Sequence, residues 1–160
     1  MKRIAVLALT MFTLSASAAV PMAYPKNPDP RLTPGSLCDH ADSYRYPEQI
    51  AYCERAVNSF TKEAIFISYR NNLGYRLSGD RATFKIDHFI PLCAGGSNLE
   101  NNLWPQHVSV YKITDPIESM GCEKLSLGLI KQAELVNLIR TAKMNLSEAP
   151  KNFKYLKSLR

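Results

Sequence analysis

Residues 84–107 read Phe-Lys-Ile-Asp-His-Phe-Ile-Pro-Leu-Cys-Ala-Gly-Gly-Ser-Asn-Leu-Glu-Asn-Asn-Leu-Trp-Pro-Gln-His, gathering carboxylate, imidazole and carboxamide side chains in one stretch. Asp87 and His88 close an apolar strand pattern. Successive strand residues point to opposite faces, so the two side chains converge only if the backbone bends there. Pro91 and the Gly95-Gly96 pair supply a bend and a loop, and Asn98, Asn101 and Asn102 follow near the expected start of a helix. Carboxylate, imidazole and carboxamide converging at such a junction suit a hard divalent metal beside a general base.

The pattern Asp-His-x-x-Pro-Leu-x-x-Gly-Gly-Ser-Asn, followed by Asn-Leu-Trp-Pro-Gln, resembles the HNH (ββα-metal) endonuclease superfamily. It is most similar to a group of small exported bacterial members that share the Asn-Leu-Trp-Pro-Gln/Glu segment. Weaker matches flank it at Asp29-Pro-Arg-Leu-Thr-Pro-Gly35, at Glu118 and at Lys131-Gln-Ala-Glu134.

The resemblance implies a metal-dependent phosphodiesterase. His88 takes the position of the general base, which deprotonates a water for in-line attack on a backbone phosphate. An imidazole with an unperturbed pKa of about 6.5 is mostly neutral at pH 7 and can accept that proton. Asp87 matches the metal ligand. Asn102 matches the central Asn that braces the loop and holds the base in position. Many family members carry a further ligand on the following helix, where this chain has Tyr111. The replacement candidates are His107, Asp115 and Glu118; the resemblance to the exported group favours His107 and Glu118. The implied cofactor is one divalent ion, Mg²⁺ or Mn²⁺ first, with Zn²⁺ or Ni²⁺ as alternatives.

The expected scaffold is an α+β domain with a ββα-metal core and flanking helices. Five prolines in residues 21–36 cannot support a helix or a central strand, which makes residues 19–36 an extended surface lead-in. A helix is expected from Thr61, as its cap, to Asn71-Asn72-Leu73-Gly74. Residues 75–87 alternate apolar and polar around Ser78-Gly79-Asp80, which reads as strand, turn, strand. From Leu99 the pattern turns helical. One helix is expected over 113–127, begun near Thr114-Asp115-Pro116, and another over Lys131–Met144 with Leu135, Leu138, Ile139 and Ala142 on one face. Trp104 is expected in the core.

Residues 1–18 combine Met-Lys-Arg, an apolar run and Ala16-x-Ala18, the pattern of a cleaved secretory signal peptide. The apolar run is shorter than the roughly 20 residues a membrane span needs. The mature chain is therefore expected in the periplasm or outside the cell, with no membrane anchor. In such a compartment Cys38, Cys53, Cys93 and Cys122 favour two disulfides over a zinc site or a free nucleophile. Of three pairings, the local one, Cys38–Cys53 with Cys93–Cys122, closes a short loop beside a core in each case. Residues 37–148 are expected to form the nuclease-type domain, and 149–160 a basic tail.

The 160 residues make one domain. A formal charge of +6 points to an acidic partner, nucleic acid or an anionic surface. The excess is local. Lys2 and Arg3 leave with the signal peptide, Ala19–Glu148 carries 14 basic against 14 acidic residues, and Lys151, Lys154, Lys157 and Arg160 supply the rest. Arg76, Arg81 and Lys85 are the expected phosphate contacts near the site. No helix-turn-helix or zinc finger fits in the remaining chain, so direct base readout has no carrier. The expectation is a monomeric nuclease of low sequence preference acting on DNA, with RNA left open, or else a degenerate relative that binds without cleaving.

Overall fold

A computed structural model describes residues 24–77 and 81–160. The expected signal peptide lies outside the described residues. Among the described residues the architecture is α+β, with two small antiparallel sheets, four helices and two disulfides. In chain order the elements are β1 (Ser43–Arg45), β2 (Ile50–Tyr52), α1 (Ser59–Leu73), β3 (Phe84–His88), β4 (Leu103–His107), α2 (Val108–Ser126), α3 (Gln132–Met144) and α4 (Ala149–Ser158). No helix among the described residues is long and apolar enough to cross a membrane.

Helix α1 starts two residues before Thr61. Its cap is Asn58, whose Oδ1 accepts the Thr61 backbone N–H at 2.9 Å. It ends at Gly74, whose φ of 73° is the left-handed conformation in which glycine meets no Cβ penalty.

Of the strand–turn–strand expected over 75–87, the turn at 78–80 lies outside the described residues, and the flanking segments do not pair with each other. Tyr75 and Leu77 are buried without forming a strand, and β3 pairs instead with β4, from Phe84↔His107 to His88↔Leu103. The helix expected from Leu99 gives way to a short helical turn at Glu100–Asn102 and then β4. Leu103, Trp104, Pro105 and Gln106 are all buried, so both faces of β4 are covered and the strand lacks the alternation that identifies a half-exposed one. Pro105 is tolerated because a two-stranded sheet leaves every strand an edge strand. Helix α2 follows β4 directly, six residues ahead of the expected start at Thr114. Pro116 therefore lies inside the helix, where its missing N–H leaves the Lys112 carbonyl without its helical partner.

Two apolar clusters flank the β3–β4–α2 unit. One joins Ile65, Phe66 and Tyr69 of α1 to Ile86, Leu103, Trp104 and Val110. The other joins Ile117 and Leu125 of α2 to Leu135, Ile139, Ala149 and Leu156 of α3 and α4. Residues 149–160 are thus not a free tail: most of them form α4, with Ala149 and Leu156 buried and the lysines outside.

The proline-rich lead-in is stapled to the domain. The Thr33 hydroxyl donates to the Leu103 carbonyl at 2.8 Å and stands 2.7 Å from the Tyr69 hydroxyl, while Gly35 N–H donates to the Asn101 carbonyl. The disulfides are Cys38–Cys53 and Cys93–Cys122, as the local pairing requires.

Candidate functional site

The site is the C-terminal end of β3 and the loop that leaves it. Asn102 is fully buried and closes this loop with its whole carboxamide. Its Oδ1 accepts Ile90 N–H at 2.9 Å, and its Nδ2 donates to the carbonyls of Ile90 at 2.9 Å and Ser97 at 2.8 Å. A backbone bond from Phe89 N–H to the Asn102 carbonyl lies alongside. Gly96 packs against the Ile90 carbonyl so closely that any Cβ there would overlap it. Cys93 ties the same loop to α2 through Cys122.

His88 is buried, and its Nε2 lies 3.1 Å from Asn98 Oδ1. The Asn98 amide is oriented by two further bonds: Nδ2 donates to the Glu54 carbonyl at 2.6 Å, and Oδ1 accepts Ala56 N–H at 3.2 Å. With Oδ1 facing the ring, the hydrogen of this contact sits on Nε2, which leaves Nδ1 as the acceptor of the neutral imidazole. Burial, joined by the positive charge of Arg55, holds the imidazole below its ordinary pKa despite the Asn98 bond. His88 is therefore neutral at pH 7, as a proton acceptor must be.

Asp87 points away from His88 into a buried charge cluster and is only 8 % exposed. Its Oδ2 is 2.8 Å from Lys143 Nζ and its Oδ1 is 3.3 Å from Lys85 Nζ. Lys143 also lies 2.7 Å from Glu118 Oε1 and donates to the His88 carbonyl. Lys85 is held in turn by both Asp115 oxygens, at 2.7 and 2.9 Å. Burial by itself would raise the Asp87 carboxyl, but Lys143 and Lys85 outweigh it and hold the group below the ordinary carboxylate range. Burial pushes Glu118 up to about 7 against the pull of Lys143. Lys143 is raised, because two carboxylates override the cost of burying its charge.

Lys143 was absent from the residues expected at the site. A lysine near a helix C-terminus reads as a solvated charge that favours the helix dipole. Its position carries a sign of burial, however: it lies four residues after Ile139 and eight after Leu135, on the apolar stripe of α3.

His107 is not brought to Asp87. It lies at the other end of the β3–β4 pair, where its Nδ1 accepts Ser109 N–H and caps α2, and its ring stacks on Tyr24 at 3.9 Å between centroids. Asp115 and Glu118 do reach the Asp87 cluster, but each through a lysine. Tyr111 stands with its ring 4.9 Å from Lys85 Nζ. Among the described residues no group of three or more His, Cys, Asp and Glu side chains is placed to hold a metal ion. The implied divalent metal does not fit this arrangement, because Asp87, Asp115 and Glu118, the carboxylates that could hold it, are each already paired with an ammonium.

A cleft of about 310 Å³ is lined by Arg55, Lys62, Phe66, Arg81, Phe84, Lys85 and Ile86. Of the three cations expected to contact phosphate, Arg81 and Lys85 line it and Arg76 does not. Arg81 lies across the Phe66 ring at 4.0 Å and pairs with Glu63 at 3.0 Å. Arg55 and Lys62 were not expected. Arg55 connects the cleft to the site: its guanidinium is 3.5 Å from the Ile86 carbonyl, and its neighbours Glu54 and Ala56 hold the Asn98 that binds His88.

No protein-family model, curated protein or solved structure matches the chain.

Proposed function

We propose that this chain is an exported phosphodiesterase of HNH type, acting on DNA and open to RNA, with His88 as the general base. The supporting observation is the setting of His88: its Nε2 is held by Asn98, whose amide binds the backbone of Glu54 and Ala56 on either side of Arg55, one of the four cations lining the cleft. In this reading the cleft holds the sugar–phosphate backbone through charge. Water gives a proton to His88 Nδ1 as its oxygen attacks phosphorus and the bond to the leaving oxygen breaks. Asn102 is a positioning residue that keeps the loop, and with it the strand end, in place. The β3–β4–α2 order is that of a ββα unit, which favours the HNH assignment, and two disulfides suit an oxidising periplasmic or extracellular setting.

A second reading is a ββα module that binds nucleic acid or cell envelope without cleaving it. The engagement of Asp87 by Lys143 favours it. Plasmid nicking by the purified mature protein, with Mg²⁺, with Mn²⁺ and with EDTA, separates the two. Cleavage that disappears in His88→Ala supports the enzyme. Binding without cleavage under every condition, or cleavage that survives His88→Ala, overturns it.

A further inference from the structure

We propose that Lys143 is the resident cation of this site: its ammonium fills the place between Asp87 and Glu118 that a divalent metal would need, and the folded protein takes up no metal ion there while Lys143 is present. The inference concerns the same site as the proposed hydrolysis. It rests on that reading only for the expectation that a metal belongs there.

The geometry gives the ammonium a full set of close oxygen neighbours. Lys143 is 0 % exposed, and its Nζ faces three acceptors: Asp87 Oδ2 at 2.8 Å, Glu118 Oε1 at 2.7 Å and the His88 carbonyl. Two of its N–H groups donate, to Asp87 Oδ2 and to the His88 carbonyl, and Glu118 Oε1 is held by charge at ion-pair distance. A buried lysine without such partners would not remain charged, and the two carboxylates would be as poorly placed without it.

Charge and coordination argue the same way. Asp87, Glu118 and Asp115 face Lys143 and Lys85, so three carboxylates are already shared between two ammonium groups. A divalent ion placed between Asp87 and Glu118 would sit against a fixed positive charge in a poorly screened interior. A hard ion also asks for about six oxygen ligands. Here two carboxylates and one carbonyl converge, and Lys143 occupies their common point. Nor does Lys143 have an easy alternative: it lies on the buried stripe of α3 among Leu135, Ile139 and Ala142.

The test is Mn²⁺ binding, measured by calorimetry and by electron paramagnetic resonance on the intact mature chain, on Asp87→Asn, on Lys143→Met and on Lys143→Met combined with Asp87→Asn. Methionine keeps the length and removes the charge. The expected result is no Asp87-dependent binding in the wild type, binding at least about tenfold tighter in Lys143→Met, and its loss in the double variant. Wild-type binding that Asp87→Asn abolishes would overturn the proposal, as would a folded Lys143→Met that gains none. If Lys143→Met does not fold, the thermal midpoint of the wild type decides, read in about 1 mM Mn²⁺ and in EDTA. Equal midpoints support the resident cation, and an Mn²⁺-dependent rise that vanishes in Asp87→Asn overturns it. Each readout is binding or stability, so an inactive protein leaves the outcome legible.

Discussion

Lys143 Nζ lies 2.8 Å from Asp87 Oδ2, joining the last turn of α3 to the end of β3 across 56 residues of chain. Because the same ammonium donates to the His88 carbonyl, one side chain holds both residues of the Asp-His pair, one through its carboxylate and the other through its backbone. The strand end is thus clamped twice, by Lys143 from α3 and by Asn102 from the start of β4.

Asn102→Ala removes three buried hydrogen bonds and leaves Ile90 N–H and the carbonyls of Ile90 and Ser97 without their side-chain partner. The expected loss is about 3 kcal/mol in urea unfolding. Asn102→Asp cannot rescue it, since a carboxylate would face two carbonyl oxygens. A loss under about 1 kcal/mol would show that the loop closes by other means.

Glu118 makes stability depend on pH with a definite sign. Its carboxyl rises from 4.5 to about 7 on folding, so between these values the folded chain keeps a proton that the unfolded chain releases. Stability from this group is therefore lost as pH rises through the window, by an amount on the order of 3 kcal/mol. Glu118→Gln does not titrate. Urea unfolding at pH 4.5 and pH 7.5 should show the wild type losing ground to Glu118→Gln at the higher pH. Asp87 acts oppositely and lower, its contribution disappearing only as pH falls below the ordinary carboxylate value of 3.8.

His88 sets the acid limit of the proposed cleavage. Its pKa lies below 6.5 because burial opposes the charged ring. The acid limb of the rate profile should accordingly have its midpoint below pH 6.5. Asn98→Ala removes the Nε2 partner and the ties to Glu54 and Ala56, and should reduce kcat while leaving the secondary structure seen by circular dichroism unchanged. An acid limb at or above pH 6.5 would argue that a different group accepts the proton.

Arg55→Gln and Lys62→Gln test the cleft. Each should weaken binding of a fluorescent oligonucleotide and lower the slope of log K against log salt by about one. Arg76→Gln, outside the cleft lining, should change neither.

Helix α4 changes what its cations are expected to do. Leu156→Ala should cost about 2–5 kcal/mol, because the side chain is fully buried in the α2–α3–α4 cluster. Removing 149–160 should therefore unfold the domain instead of merely weakening contact with an acidic partner. Lys151, Lys154 and Lys157 are exposed, and changing them to Gln tests their charge without that loss.

Much of this protein follows from local chemistry. The α+β class, the cysteine pairing, and helices α1 and α3 can be read from spacing, composition and caps, because the interactions that fix them act over a few residues or close short loops. Asp87, His88 and Asn102 stand out through residue type and spacing in one contiguous stretch. The partner of β3 does not, since a strand buried on both faces has lost the alternation that would mark it. Nor do Arg55 and Lys62, which belong to a segment and a helix remote from that stretch. Lys143 is the sharpest case. Sequence alone places a lysine on an apolar stripe, whereas only packing α3 against β3 and α2 sets its ammonium between Asp87 and Glu118. A charge can remain in a dry interior only where the tertiary fold delivers opposite charges within about 3 Å, and that condition has no counterpart along the chain.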